Sequence, residues 1–151
     1  MTVLASGNIF TSGAEVLVNT VNCVGVMGKG LALEVKWRFP KVFEDYHYAC
    51  EAGLVVPGRV FISATGLLPP EGPRFVANLP TKRHWRDGSR LDDIEAGLVD
   101  LARRLTVLGV ESVAVPALGC RNGGLRWDDV RPLIEEILAG LPMKIMIYPP
   151  I

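Results

Sequence analysis

Short apolar runs alternate along the chain with longer stretches in which apolar residues return every third or fourth position. Residues 3–5 and 15–20 read as strands, the second because β-branched residues follow a Ser-Gly turn. Residues 29–38 read as a helix stopped by Pro40, since proline cannot continue the hydrogen-bond ladder. Residues 42–52 read as a second helix closed by Gly53. "RVFISAT" (59–65) and "RFVANLP" (74–80) read as two further strands. The clearest helical stripe is Leu91, Ile94, Leu98, Leu101, Leu105 and Leu108, ended by Gly109. "SVAVPAL" (112–118) reads as a strand that runs into the glycine-rich "GCRNGG". A last helix carries Val130, Leu133, Ile134, Ile137 and Leu138 on one face, with Asp128 and Asp129 where negative charge favours a helix start and Pro132 in its first turns. "KIMIY" (144–148) reads as the closing strand. Strands alternating with helices predict an α/β protein with a central sheet covered on both faces.

Length and composition narrow the class. A chain of 151 residues suits one domain, and 49% apolar with 21% charged residues is a globular composition. No internal repeat or low-complexity tract interrupts it. "LLPPEGPR" reads as a loop within the domain, whereas the final "YPPI" resembles the start of a linker into a longer chain. Sixteen basic residues balance sixteen acidic ones, so the molecule has no overall cationic field and any nucleic-acid contact must be local. Three cysteines (Cys23, Cys50, Cys120) without paired spacing argue against a disulfide framework and fit a reducing cytoplasm. With no CxxC and only His47 and His84, no metal site is expected. The N-terminus lacks the pattern of a signal peptide, and no apolar run is long enough to span a bilayer, so no membrane partner is expected.

The candidate chemistry lies in two loops. "VNTVNCVGVMGKG" (18–30) leaves a strand through Asn19 and Asn22 and supplies Gly25, Gly28 and Gly30 just before a helix. "GCRNGG" (119–124) repeats strand, glycine loop and helix. Glycine lets a ligand approach the main chain, and the unpaired N–H groups of a helix start favour an anion. Either loop alone also fits an ordinary turn. Two of them at the carboxyl ends of neighbouring strands predict a crevice for a diphosphate. Neither carries GxxxxGK[ST], and the GxGxxG fingerprint is absent, which excludes a P-loop NTPase and a Rossmann dinucleotide site.

"SGNIF", "VNTVNCVGVMGKGLALEVK", "NLPTKRHWR" and "VPALGCRNGGLRWDDV" together resemble the macrodomain family, over nearly the whole chain. "NCVGVMGKGLAL" and "LPTKRHW" resemble in particular its DarG group of DNA ADP-ribosyl glycohydrolase antitoxins. The resemblance implies a three-layer α/β/α macrodomain with a central mixed sheet over residues 1–151, binding ADP-ribose without a cofactor. It implies an ADP-ribosyl glycohydrolase acting on thymidine in single-stranded DNA, with ADP-ribosylated single-stranded DNA as substrate and a DarT-type toxin as partner. An ADP-ribose-binding module without chemistry, a hydrolase of ADP-ribosylated acidic protein side chains and an ADP-ribose 1″-phosphate phosphatase are the alternatives within the fold.

The family pattern also implies residue roles. Adenine falls near Asn8, where many macrodomains have Asp, and near the Ile9 backbone; the plainer alternative for Asn8 is a turn residue that bonds its own backbone. The diphosphate falls between Val26, Met27, Gly28, Gly30 and Leu31 on one side and Ala117, Leu118, Gly119, Cys120, Arg121, Asn122 and Gly123 on the other, mostly through main-chain N–H groups. Thr20, Val21, Thr81 and His84 complete the lining. Asn22 reaches the distal ribose and holds C1″. Lys82 is the catalytic residue, attacking C1″ or assisting departure of the base; on composition alone it belongs to a solvated basic patch. The aspartate that protein-deacylating relatives carry in the second loop is missing from "CRNGGL". Arg83, His84, Trp85 and Arg86 form a basic and aromatic cluster suited to the modified nucleotide, with a packed tryptophan and solvated neighbours as the alternative. Cys23 and Cys120, with no histidine expected beside them, read as small, partly buried residues rather than nucleophiles.

Overall fold

The computed structural model describes residues 1–151. Six strands form one sheet: β1 (Thr2–Leu4), β2 (Val16–Val21), β3 (Phe61–Ala64), β4 (Phe75–Pro80), β5 (Ser112–Val115) and β6 (Lys144–Ile147). Their spatial order is β1-β6-β5-β2-β4-β3, all parallel except β3, which pairs antiparallel with β4. Four helices cover it: α1 (Gly30–Arg38), α2 (Pro40–Glu51), α3 (Leu91–Leu108) and α4 (Trp127–Leu138).

Alternation along the strands sorts the two faces. Val16 and Val18 of β2 join Ala77, Leu79, Val113 and Ile145 beneath the α3 and α4 stripes, Leu98, Leu101, Ile134 and Leu138 among them. Leu17 and Val21 join Val76, Ala114 and Met146 beneath Val35, Val42 and Tyr46 of α1 and α2. The expected three layers with a mixed sheet are therefore present. Gly109 ends α3 with φ +65°, a left-handed cap that glycine adopts without strain. Pro40 occupies the first turn of α2 rather than only ending α1, because its missing N–H costs nothing there.

Several expectations shift. The strand expected over 112–118 ends at Val115, before Pro116, which has no N–H for a ladder. Asn19 is not at a strand end but inside β2, fully buried, with its Nδ2 donating to Asn78 Oδ1 (3.0 Å) in the facing register position.

Connectivity creates the crevice. The chain leaves β2 for α1 on one face and leaves the neighbouring β5 for α4 on the other. Their carboxyl ends therefore part at a switch point, where open α/β sheets place ligands. The loop after β4 completes the third side, since β4 flanks β2 opposite β5.

Candidate active site

Three loops meet at this edge: 22–29 after β2, 81–90 after β4 and 116–126 after β5. In the first, the Met27 side chain is buried in the core with Val21 of β2, while Gly28, Lys29 and the adjoining Gly30 of α1 are exposed. The loop is thus anchored by Met27 and presents main chain. α1 starts at Gly30 (φ +54°) with no side-chain cap at Lys29 and no acidic residue in its first turn, so its N–H groups stay available to an anion. Leu31 lies partly buried in that first turn.

The second glycine loop follows the same logic. Leu118 is buried and anchors it, with Ala117 and Cys120 partly buried and Arg121 and Asn122 exposed. The Leu125 N–H donates to the Gly119 carbonyl (2.9 Å) and closes the loop. A Cβ on Gly123 would stand 2.1 Å from Ser89 Oγ and 2.4 Å from the Gly119 carbonyl oxygen, so only glycine fits. Asn122 Nδ2 approaches Gly30 to 3.5 Å from where a Cβ would stand, so the two glycine loops face each other across the crevice.

The β4 loop is fastened to both. Thr81, itself buried, donates its N–H to the Val21 carbonyl (2.8 Å), and the Cys23 N–H donates to the Arg83 carbonyl (3.2 Å). At its far end the Ser89 N–H donates to the Gly123 carbonyl (2.9 Å). Lys82 is held between these ties. Its Nζ donates to the Trp85 carbonyl (3.3 Å), an exposed contact. His84 Nδ1 accepts from the Arg86 N–H (3.1 Å) and so serves the turn that shapes this loop.

Asn22 is 8% exposed, and much of its amide is occupied. Its Oδ1 accepts from the Val24 N–H (3.1 Å), the Val26 N–H (3.3 Å) and the Tyr46 hydroxyl (2.8 Å), while its Nδ2 donates to the Val26 carbonyl (2.8 Å). One Nδ2 hydrogen remains without a partner. Asn22 therefore organises the first loop as well as bordering the crevice. Thr20 lies partly buried just before it.

Asn8 is exposed and bonds its own turn, its Oδ1 accepting from the Phe10 N–H (2.9 Å) ahead of the 3-10 turn Ile9–Thr11. That is the plainer of its two expected roles, and it leaves the Asn8 Nδ2 group and the half-buried Ile9 at the surface. Arg83 departs from its expected place among nucleotide contacts: its guanidinium grips Asp93 in the first turn of α3 through two 3.2 Å hydrogen bonds. Burial pushes the Cys23 thiol up to about 11, with Cys50 and Asp93 adding to it and Arg83 opposing. Burial also raises Cys120. Neither is poised as a nucleophile.

Tyr46, Ser89 and Asp93 shape the site without having been singled out by sequence. Each acts across a gap of many residues, and no local pattern marks it. Ser89 Oγ is buried without a partner and wedges against the Gly119–Gly123 loop.

The family model of the Macro domain matches residues 18–134, which include all three loops. The chain belongs to the macrodomain family. A macrodomain relative, the DNA ADP-ribosyl glycohydrolase of Mycobacterium tuberculosis, is 48% identical over 151 residues, covering 99% of this chain and 42% of the relative. The chain thus spans less than half the length of that protein. Among solved structures, the macrodomain of Mycobacterium tuberculosis DarG matches with a TM-score of 0.96 at 48% identity, covering 100% of this chain and 99% of that one. Thermosipho africanus DarTG in complex with ADP-ribose matches with a TM-score of 0.87 at 37% identity, covering 98% of this chain and 42% of that one. No helix of this macrodomain is long and apolar enough to cross a membrane.

Proposed function

We propose that this macrodomain is a DNA ADP-ribosyl glycohydrolase that frees thymidine in single-stranded DNA from ADP-ribose and acts as antitoxin to a DNA ADP-ribosyltransferase. The observation that carries this reading is the 48% identity, over 99% of the chain, to the DNA ADP-ribosyl glycohydrolase of Mycobacterium tuberculosis. The ADP-ribose complex of the Thermosipho neighbour supports ADP-ribose as the ligand, and the DarTG name of that neighbour supports a DarT-type toxin as partner. The unpaired cysteines support a reducing cytoplasm. We read residues 1–151 as one macrodomain forming the N-terminal part of a longer protein.

In this reading the uncapped start of α1 and the Gly119–Gly123 loop hold the diphosphate through main-chain N–H groups. The free Asn22 Nδ2 hydrogen meets a hydroxyl of the distal ribose. The Lys82 amine forms a bond to C1″ as the C1″–N bond to the base breaks, and its proton passes to the departing base nitrogen. Water then adds to C1″, releasing ADP-ribose and restoring the amine; overall one water is consumed. The second loop offers Cys120, Arg121 and Asn122 and no carboxylate, so no lysine–aspartate pair operates.

The test compares ADP-ribosylated single-stranded DNA with protein ADP-ribosylated on acidic side chains. Release of free ADP-ribose from the DNA is expected. Release from the protein alone would transfer the chain to the ester hydrolases, and release from neither, with ADP-ribose still bound, would leave a binding module.

A further inference from the structure

The charge of this neutral chain is not spread evenly. The three loops at the site edge (22–29, 81–90 and 116–126) hold Lys29, Lys82, Arg83, Arg86, Arg90, Arg121 and Arg126 against one acidic residue, Asp87. Arg83 is committed to Asp93, and Arg126 lies 3.6 Å from Asp128. Lys29, Lys82, Arg86, Arg90 and Arg121 form no ion pair. Three of the seven, Lys29, Arg90 and Arg126, stand at the N-caps of α1, α3 and α4; Asp92 and Asp93 offset the charge in the first turn of α3 and Asp128 and Asp129 in that of α4, whereas α1 has no acidic residue there. The positive charge left without an acidic neighbour at a helix start is therefore that of Lys29, beside the first glycine loop.

An aromatic group stands in the same place. Trp85 is 47% exposed, although its carbonyl accepts from Lys82 Nζ. The Arg86 guanidinium lies 4.7 Å from its ring centroid, and the His84 ring is tilted 35° at 5.0 Å. An indole carrying a guanidinium, beside unpaired cations, is the combination that binds a single strand: bases stack on the ring and phosphates meet the cations.

We propose that Trp85 and Arg86, next to Lys82, form a stacking platform for a nucleobase that flanks the modified one in single-stranded DNA, with Lys29, Arg90 and Arg121 meeting the phosphates of the strand. The platform deepens the reading given above: it selects a nucleic-acid substrate over an ADP-ribosylated protein. Arg83 takes no direct part, because Asp93 holds it.

The test uses the whole chain and a fluorescein-labelled, unmodified single-stranded oligonucleotide, so that binding is read without turnover. Trp85→Ala is expected to weaken binding between about fivefold and a hundredfold, the range for loss of one base–aromatic stack, and Trp85→Phe to restore most of it. Binding is expected to fall with salt with a log–log slope of about −2, for about three phosphates, and Arg90→Gln to make that slope shallower by about 0.7. The affinity of Trp85→Ala for free ADP-ribose serves as the folding control. In kinetics, Trp85→Ala is expected to lose kcat/KM on an ADP-ribosylated oligonucleotide but not on an ADP-ribosylated nucleoside. Equal loss on both substrates, unchanged oligonucleotide binding, or equal binding of an acidic peptide would overturn the platform. Trp85-dependent binding by a chain that cleaves neither DNA substrate would uphold the platform and overturn the proposed activity instead.

Discussion

Arg83 holds Asp93 through two parallel hydrogen bonds, Nε to Oδ2 and Nη2 to Oδ1, each 3.2 Å long. Asp93 is buried in the first turn of α3, and the Arg83 carbonyl accepts from the Cys23 N–H. One residue therefore joins the lysine loop to a rigid helix and to the first glycine loop, with Lys82 as its chain neighbour. Arg83→Gln is expected to lower kcat about ten- to a hundredfold, the usual effect of misplacing a reacting group by about an ångström, while leaving the ADP-ribose Kd within a few-fold. Arg83→Lys should recover only part of the loss, because an ammonium cannot grip both carboxylate oxygens. Single-turnover rates and ADP-ribose titration separate these outcomes; a loss confined to affinity would contradict the positioning role.

The Tyr46 hydroxyl lies 2.8 Å from both the carbonyl and the Oδ1 of Asn22, at the base of the first loop. Burial pushes this phenol far upward, so it stays protonated and donates. Tyr46→Phe keeps the ring in the core but removes the donor. A stability loss of about 1–2 kcal/mol is expected in urea unfolding. ADP-ribose affinity is expected to fall with it, since the Val24 and Val26 N–H groups share the same acceptor. Unchanged affinity would mean that Asn22 orders this loop alone.

Gly123 tests the main-chain cradle. Gly123→Ala forces a methyl group onto the Gly119 carbonyl oxygen and onto Ser89 Oγ and Cβ, and the backbone carbonyl cannot turn aside as a side chain can. ADP-ribose binding by calorimetry is expected to drop at least tenfold. Gly124→Ala meets no neighbour, and its cost is the φ of +78° alone, roughly 1 kcal/mol of stability. If both variants bind alike, the second loop does not hold the diphosphate.

A thiol mechanism is separable from the lysine by alkylation. With its thiol raised by burial to about 11, Cys23 holds roughly a thousandth of its population as thiolate at pH 8. Iodoacetamide should therefore label it on the order of a hundredfold more slowly than a free cysteine, with the rate rising tenfold per pH unit well above neutrality. Rapid labelling at pH 7 accompanied by loss of turnover would return the thiol to the mechanism.

Much of this arrangement is legible in the sequence. The α3 stripe, the two glycine loops and their placement after neighbouring strands follow from periodicity and from the chemistry of glycine. The site's supports do not. Asp93 and Tyr46 look like ordinary helix residues until the fold brings them to Arg83 and Asn22, and Ser89 is a loop serine until Gly123 packs on its hydroxyl. Arg83 itself reads as a phosphate ligand in "TKRHWR", because a local window cannot show that a carboxylate ten residues away has claimed it. Asn8 shows the converse: the role its turn predicts is the one its Oδ1 takes.

The account rests on the Lys82 amine acting at C1″. The most direct measurement is ADP-ribose release from ADP-ribosylated single-stranded DNA by Lys82→Ala, alongside its affinity for free ADP-ribose. The account predicts ADP-ribose binding within a few-fold of the unsubstituted chain and turnover reduced by more than about a hundredfold. Normal release by Lys82→Ala would contradict it.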